Sequence, residues 1–181
     1  MIEFHHLLRF VFQIQVLVTD VNDNPPVLEQ ELYEIDIPEN TRFNAPILQI
    51  MATDRDATDR LVFTLPSTSD PASRYHFRID NHNGVIYLNE SLDHESQRQH
   101  VLNVEVKDYN FGTHRTYARV VVNVIDSNDH MPEFSAESYK GKVFETAAVG
   151  TRVVDVYAFD RDQGSNAELT YSIVQGKYSS K

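Results

Sequence analysis

The chain has 181 residues and a formal net charge of -11, because 27 acidic residues outnumber 16 basic ones. This charge excludes a nucleic-acid-binding protein, which needs a clustered basic surface, and it favours cations as partners. The chain has no cysteine, which excludes disulfides, thiolate metal sites and cysteine nucleophiles but leaves the cellular compartment undecided.

The N-terminal segment, residues 1–18, is fairly apolar but does not have the pattern of a signal peptide. Polar residues interrupt every apolar run before an h-region can form. These residues include His5, His6, Arg9, Gln13 and Gln15. No stretch of the sequence approaches the roughly 18 consecutive apolar residues of a membrane-spanning helix. We therefore expect any signal or anchor of a parent protein to lie outside this chain.

The first predicted strand covers residues 12–18, where apolar residues recur at every second position. The inward positions would be Phe12, Ile14, Val16 and Val18. The same pattern recurs in residues 118–124, and both strands run directly into a polar connector. We therefore predict that the chain opens on the final strand of an earlier repeat.

Residues 27–126 contain about seven short strand patterns, separated by turn signals such as the one at residues 81–84. The predicted strands are residues 33–37, 45–53, 61–65, 75–79, 85–88, 101–107 and 113–125. No convincing helix pattern interrupts them. We therefore predict an all-β fold, with this part of the chain as an antiparallel β-sandwich.

Two connectors rich in aspartate and asparagine follow the predicted final strands. They run from Asp20 to Pro26 and from Asp126 to Pro132, and their first residues are 106 positions apart (126 − 20). Such short polar side chains compete for the hydrogen bonds of the backbone and do not form a strand or helix interior. Their carboxylate and amide oxygens are the hard ligands that calcium prefers. A divalent cation is therefore the expected partner of these connectors.

The same offset of 106 residues relates several other positions, which indicates an internal repeat. It pairs Tyr33 with Tyr139, Glu39 with Glu145, Ala52 with Ala158, and Asp54-Arg55-Asp56 with Asp160-Arg161-Asp162. We divide the chain into residues 1–26, the end of a preceding repeat; 27–132, a complete repeat with its linker; and 133–181, the first part of a following repeat. Because a partial sandwich leaves sheet edges and inner faces uncovered, we expect residues 133–181 to be a fragment of low stability.

The ordered set of motifs resembles the extracellular repeats of the cadherin superfamily, and the resemblance covers nearly the whole chain. The motifs are the two Asp-x-Asn-Asp connectors, Pro38-Glu39-Asn40, Ala52-Thr53-Asp54-Arg55-Asp56, Leu92-Asp93-His94-Glu95, Asp108 after Val106-Lys107, and Asp160-Arg161-Asp162-Gln163-Gly164-Ser165-Asn166-Ala167. The resemblance implies tandem Greek-key β-sandwich repeats that stack end to end, with three calcium ions at each junction. The period and the Asp-Arg-Asp triplets are similar to those of the protocadherin, Fat and Dachsous type.

At the second junction, between residues 27–126 and 133–181, the resemblance implies a shared set of calcium ligands. Two neighbouring ions would be held by Glu39, Asp93, Glu95, the Ser127 carbonyl, Asp129 and Asp162. A third ion would be held by Asn128, the His130 carbonyl, Asp160, Asp162 and the Asn166 carbonyl, with one further ligand expected beyond this chain. Calcium takes about six to eight oxygens, more than any single loop here offers, so several loops must converge.

The first junction would keep the ligands of the third ion, which are Asn22, Asn24, Asp54, Asp56 and Asp108. The ligands that a preceding repeat would supply are missing, so Asp23 is expected to have few partners. The segment Ala57-Thr58-Asp59 is two residues shorter than its counterpart, with Asp59 as a candidate substitute ligand. The other departures from the family pattern are His130 in place of asparagine and Phe144 in place of the proline before Glu145.

Other metal-binding and catalytic patterns fit less well. An EF-hand would match Asp20, Asn22 and Asn24, but its sixth position needs glycine and here holds Pro25. The eight histidines lack the spacing of a zinc site, and we interpret them as surface residues. The sequence has no nucleophile elbow, phosphate-binding glycine loop or His-Glu-x-x-His motif, so we expect no enzymatic activity.

We therefore expect a calcium-binding ectodomain segment in which calcium stiffens the junctions between repeats for cell–cell adhesion. The expected partners are other cadherin ectodomains, and the expected location is the extracellular face of the plasma membrane. The alternative is a calcium-dependent secreted module that binds a ligand or the matrix. Asn89-Glu90-Ser91 also matches the acceptor sequence for N-glycosylation, a motif that is common by chance.

Overall fold

Strands provide most of the regular structure in this computed structural model, which describes residues 12–56, 60–66, 70–109 and 113–174. In chain order they are β1 (Val27–Leu28), β2 (Leu32–Pro38), β3 (Pro46–Gln49), β4 (Ala52–Thr53), β5 (Leu61–Thr64), β6 (Phe77–Ile79), β7 (Val85–Leu88), β8 (Gln99–Asp108), β9 (Arg115–Ile125), β10 (Glu133–Phe134) and β11 (Ala158–Phe159). A short helix, α1 (Pro71–His76), precedes β6, and a 3-10 helix covers Gly164–Ala167. The predicted all-β class is confirmed.

The central unit, residues 27–126, contains two main sheets. One has the strand order β2-β9-β8-β5, and the other has the order β3-β7-β6. Their neighbouring strands are antiparallel except for β2 and β9, which pair in parallel along the whole of β2. This parallel pair differs from the purely antiparallel sandwich that the sequence predicted. It is compatible with the chain because almost the whole unit lies between β2 and β9, so no tight hairpin has to join them.

The hydrophobic core is built by alternation along the strands. In β8 every second residue from His100 to Asp108 is buried. The buried residues of β9 are Ala118, Val120, Val122 and Val124. Ile86 and Leu88 of β7 complete the core from the other sheet. Since burying one large aliphatic side chain contributes about 1.5–3 kcal/mol, this core is what holds the two sheets together.

The predicted strand at residues 12–18 is wrong, since the structure has no strand there. Phe12, Ile14, Val16 and Val18 are 76–87% exposed. The counterpart of this segment, β9, receives its ladder hydrogen bonds from β2 and β8. Within the described ranges no strand pairs with residues 12–18. The alternating segment therefore receives no ladder hydrogen bonds from a neighbouring strand. Residues 1–11, with their histidine pair, lie outside the described residues.

Two other predicted strands differ from the structure. Residues 45–53 divide into β3 and β4, because Ile50 between them turns into the core and is 1% exposed. The predicted strand at 75–79 begins only at Phe77, since α1 extends to His76. Asp70 caps this helix by accepting from the N–H of Ser73 at 3.3 Å, and proline follows the cap. Local capping therefore outweighs the strand pattern here.

Residues 133–174 contain little regular structure but repeat the first pairing of the central unit. Glu133 of β10 lies opposite Phe159 of β11, just as Val27 of β1 lies opposite Thr53 of β4. Most side chains of this section are exposed, including apolar ones such as Phe144 at 85%. The apolar face that a complete sandwich would bury is thus open to solvent here.

A polar network lies inside the core beside α1. The His100 side chain is buried, so the interpretation of the histidines as surface residues is wrong for His100. Its Nδ1 lies 3.0 Å from Ser73 Oγ. Ser73 Oγ donates to Asp70 at 2.7 Å, and the His76 ring centroid lies 5.0 Å from that of His100. Burial, reinforced by the nearby His76, lowers the pKa of His100 to about 4. His100 is therefore neutral in the folded protein at neutral pH.

Acidification should destabilise the central unit through His100. Because the pKa of His100 is lower in the folded than in the unfolded state, its stabilising effect is present above pH 6.5 and is lost as the pH falls towards about 4. Between about pH 7 and pH 5, the wild type should lose about 2 kcal/mol more unfolding free energy than His100→Gln, which has no imidazole to titrate. Urea denaturation in chelator measures this difference. Equal pH dependence of the two proteins would contradict the prediction.

Candidate metal centre

The parallel pairing of β2 with β9 places two acidic residues side by side at one end of the central unit. Pro38 lies opposite Ile125, so the residues that follow, Glu39 and Asp126, leave the sheet together. The loop between β7 and β8, residues 89–98, brings Asp93 and Glu95 to the same place. Carboxylates from three separate parts of the unit therefore converge at this end.

Hydrogen bonds from the main chain hold Glu39 in position. Glu39 is 5% exposed; its Oε2 accepts from the His94 N–H at 2.7 Å and its Oε1 from the Ser127 N–H at 2.6 Å. Asp93 is fixed by Ser96, whose hydroxyl and N–H donate to it at 2.8 and 2.9 Å and lower the pKa of Asp93. These bonds tie the loop and the start of the connector to one arrangement.

Glu95 is the residue that the neighbouring acidic groups share. Glu95 belongs to three groups whose possible ligand atoms lie within 4.8 Å of one another. Its partners are Glu39 and Asp93 in one group, His94 and Asp126 in the second, and Asp129, His130 and Asp162 in the third. Both Glu95 oxygens are buried and have no hydrogen-bond partner among the described residues. Burial raises the pKa of Glu95, and the charges of Glu39 and Asp126 act in the same direction. A cation beside these oxygens would offset that penalty.

Asp126 was not among the ligands predicted from the sequence, yet it lies in this group. Its Oδ2 accepts from the Gln163 N–H at 3.1 Å and from Asn166 Nδ2 at 2.8 Å. Its Oδ1 is buried without a hydrogen-bond partner in the described part of the chain. Burial acts to raise the pKa of Asp126, but the hydrogen bonds from Asn166 and Gln163 lower it overall. Asp20 and Asp126 each stand at the start of a connector, and this repeated position could have identified Asp126 from the sequence.

The section after the connector supplies the other side of the centre. The Asp162 side chain has 0% exposure, accepts from the His130 N–H at 3.3 Å and lies 3.0 Å from His130 Nδ1. Asp160 accepts from the Asp162 N–H at 3.1 Å, and Asn128 Nδ2 donates to the Asn166 carbonyl at 3.5 Å. We call the converging carboxylates of this second junction the acidic cluster: Glu39, Asp93, Glu95, Asp126, Asp129 and Asp162.

The first connector repeats this arrangement. The Asn24 N–H donates to Asp56 at 2.9 Å, and Asn24 Nδ2 donates to Asp56 at 2.5 Å and to Asp23 at 2.8 Å. Asp54 accepts from the Asp56 N–H at 2.9 Å. The hydrogen bond from the Asn24 N–H is the main cause that lowers the pKa of Asp56. Three of the predicted ligands, Asn24, Asp54 and Asp56, therefore lie together.

The two remaining predicted ligands of the first junction meet at His114, which the sequence analysis did not select. Asp108, at the end of β8, is 1% exposed, and its carboxylate lies 3.6 Å from His114 Nδ1. The same nitrogen lies 2.9 Å from Asn22 Oδ1. Asp59 lies outside the described residues, so its role stays a prediction.

Asn89, the predicted glycosylation residue, directly follows β7. Its Nδ2 donates to the Tyr75 carbonyl at 3.0 Å. An attached glycan would leave one N–H on that nitrogen, so the hydrogen bond is compatible with modification. Glycosylation stays a prediction.

The donors of the acidic cluster fit a calcium ion. Two carboxylates 4 Å apart repel each other by about 1 kcal/mol in water and by about 4 kcal/mol at an effective dielectric constant of 20. A divalent cation between them replaces this repulsion with attraction. The cluster and the nearby carbonyls can also supply the roughly six to eight oxygens that calcium takes.

Comparison with known proteins agrees with the fold. A family model described as Cadherin domain matches residues 33–125. The chain belongs to the cadherin family. It is 48% identical to Protocadherin Fat 1 of Homo sapiens over 164 residues, which are 91% of this chain and 4% of that protein. It is 35% identical to Cadherin EGF LAG seven-pass G-type receptor 1 of Homo sapiens over 160 residues, which are 88% of this chain and 5% of that protein.

A solved structure gives the same result. Extracellular cadherin domains 1–4 of Protocadherin Gamma B7 match with a TM-score of 0.71 at 32% identity, covering 82% of this chain and 36% of that one. The predicted cadherin repeat fold and the resemblance to the protocadherin and Fat type are therefore confirmed. Cadherin ectodomains are non-enzymatic adhesion modules, which confirms that this chain is not an enzyme. Among the described residues, none of the helices has the length and apolar character needed to cross a bilayer.

Replacing Glu95 with glutamine should stabilise the protein when divalent cations are removed. Because burial raises the pKa of Glu95, its effect on stability is most favourable at low pH and is lost as the pH rises through the folded-state pKa. Glu95→Gln should therefore raise the melting temperature in chelator at neutral pH, as measured by calorimetry.

The control for this prediction is Glu105→Gln. The Glu105 side chain is 12% exposed and lies 3.4 Å from Arg115 and 3.8 Å from Lys107. Its substitution removes favourable ion pairs and should not raise the melting temperature. An unchanged or lower melting temperature for Glu95→Gln would show that the charge of Glu95 does not destabilise the metal-free protein.

Proposed function

We propose that this chain is a calcium-binding segment of a cadherin ectodomain, in which calcium stiffens the junction between consecutive repeats for cell–cell adhesion. Residues 1–26 would be the end of one repeat, 27–132 a complete repeat with its linker, and 133–181 the start of the next. The observation that carries the proposal is the position of Glu95. Its buried oxygens approach acidic residues that precede the second connector and acidic residues that follow it.

Calcium at the second junction would be held by the acidic cluster together with neighbouring groups of the connector and the following section. These neighbouring groups are the Ser127 and His130 carbonyls, Asn128, Asp160 and the Asn166 carbonyl. At the first junction an ion would be held by Asn22, Asn24, Asp54, Asp56 and Asp108. The contacts among Asn24, Asp54 and Asp56, and among their counterparts at the second junction, support this assignment.

Electrostatics explains why calcium would stiffen the linker. Glu39 and Glu95 precede the second connector, whereas Asp162 follows it. Without a cation the like charges of these residues repel one another across the junction. An ion bound to all three would join the two sections through one centre. Extracellular modules of this kind bind calcium with Kd values of about 10⁻⁴ to 10⁻³ M, so changes in extracellular calcium would set how much of the junction is rigid.

Family membership supports the adhesive role over a secreted ligand-binding or matrix module. We propose other cadherin ectodomains as partners, through homophilic or heterophilic contacts. The extracellular face of the plasma membrane is the proposed location, because relatives are named as extracellular cadherin domains and as a seven-pass receptor. The chain itself spans 5% or less of the two full-length relatives described above.

Limited proteolysis of the second connector tests the calcium proposal. In millimolar calcium the segment from Asp126 to Pro132 should be protected and the melting temperature should rise, because the ion ties both sections to the connector. In chelator, cleavage should return and the melting temperature should fall. Mass spectrometry of the fragments identifies the cleavage site. Equal cleavage rates in calcium and in chelator would refute the proposed stiffening.

A matched pair of variants assigns the effect to the acidic cluster. Asp162→Asn removes a buried member of the cluster, and we expect it to weaken calcium binding by about tenfold or more. Asp155→Asn removes a carboxylate that pairs with Arg152 at the surface, and it should keep the full calcium response. Similar losses in both variants would point to a non-specific effect of negative charge.

A further inference from the structure

His130 occupies a position in the second connector that corresponds to Asn24 in the first (130 − 106 = 24). Asn24 Nδ2 donates to Asp23 and Asp56, and His130 Nδ1 lies next to the corresponding residues, Asp129 and Asp162. The imidazole therefore stands where the first connector has an amide. An amide nitrogen only donates hydrogen bonds, whereas an imidazole nitrogen can bind a metal through its lone pair.

Three carboxylates lie around His130 Nδ1 at distances on either side of the ligand spacing in a tetrahedral metal site. This nitrogen lies 2.8 Å from Asp129 Oδ1, 3.0 Å from Asp162 Oδ1 and 3.7 Å from Glu95 Oε2. In a tetrahedral zinc site with bonds of about 2.0–2.1 Å, neighbouring ligand atoms lie about 3.3–3.4 Å apart. The four ligand atoms here all lie within 4.8 Å of one another. One ion could therefore bind all four if the side chains move to bring these atoms to the tetrahedral spacing.

Burial supports a bound cation at this point. The Asp162 side chain has 0% exposure, and that of Glu95 has 19%. Both Glu95 oxygens lack a hydrogen-bond partner among the described residues. Withdrawing a charged carboxylate from water without a hydrogen-bond donor is costly, and a cation beside the carboxylate offsets this cost. A bound cation would therefore stabilise the charged form of the Glu95 carboxylate.

We propose that the second junction also binds Zn²⁺, through His130 Nδ1 and the carboxylates of Glu95, Asp129 and Asp162. Calcium takes oxygen ligands and gains nothing from the imidazole nitrogen, whereas zinc binds imidazole and carboxylate together. On binding, Zn²⁺ takes the lone pair of Nδ1, and any proton that Nδ1 carries passes to solvent. The inference rests on the proposed function, because zinc and calcium share three carboxylates and would compete. At the equivalent position the first connector has Asn24, whose side chain offers no nitrogen lone pair to a metal.

The test is calorimetric titration of the full chain with Zn²⁺ and, separately, with Ca²⁺, at neutral pH in buffer freed of other divalent ions. We expect zinc to bind at least about tenfold more tightly than calcium, and His130→Asn to reduce the ratio of zinc to calcium affinity by about tenfold or more. Added zinc should also raise the calcium concentration needed to protect the second connector from protease.

The control variant is His82→Asn. His82 is 80% exposed and lies 3.8 Å from a single carboxylate, Asp80, so its loss should change neither affinity. Zinc binding that survives His130→Asn unchanged, or an equal loss of both metals in that variant, would overturn the zinc site. If the wild type binds calcium but not zinc, only this inference fails. If it binds neither ion, the proposed calcium function fails with it.

Discussion

The parallel pairing of β2 with β9 is the constraint on which the candidate metal centre depends. Because Pro38 lies opposite Ile125, both strands end at the same level, and the residues after them meet. An antiparallel pair would send Glu39 and Asp126 to opposite ends of the sheet. The pairing of β8 with β9 starts at Gln99, which brings the preceding acidic loop to the same end. The core packing that fixes these strands therefore also fixes the ligands.

The carboxylates of the acidic cluster differ in how many hydrogen bonds they accept from the protein. Glu39 accepts two main-chain N–H groups, and Asp93 accepts two donors from Ser96, so the fold itself positions these carboxylates. Glu95 has no such donor among the described residues. Hydrogen bonds of the protein thus position Glu39 and Asp93, whereas a cation bound under the proposed function would be the partner of Glu95. Under the proposed function, this division of roles would preorganise the calcium site at a cost in the stability of the metal-free protein.

The sequence was sufficient to find most of the acidic residues, because the repeat marks positions such as Asp54 and Asp160, and the resemblance to cadherin repeats implies the roles of Asp93 and Glu95. It was not sufficient to find contacts that depend on how the connector folds against the next section. The hydrogen bond from Gln163 to Asp126 and the position of the His130 imidazole are of this kind. Alternation at residues 12–18 likewise could not show whether neighbouring strands complete the pairing, since a strand depends on partners distant in sequence.

The direction of β2 and β9 also determines how the central unit responds to tension. Force along the chain enters through β1 at the start of β2 and leaves through the end of β9. Because these strands run in the same direction, tension pulls them past each other and loads their contacts in shear. The seven residue pairs of β2 and β9 then carry the load simultaneously, whereas a hairpin pulled from its open end would break one pair at a time. The central unit should therefore resist extension when the chain is pulled from its two ends.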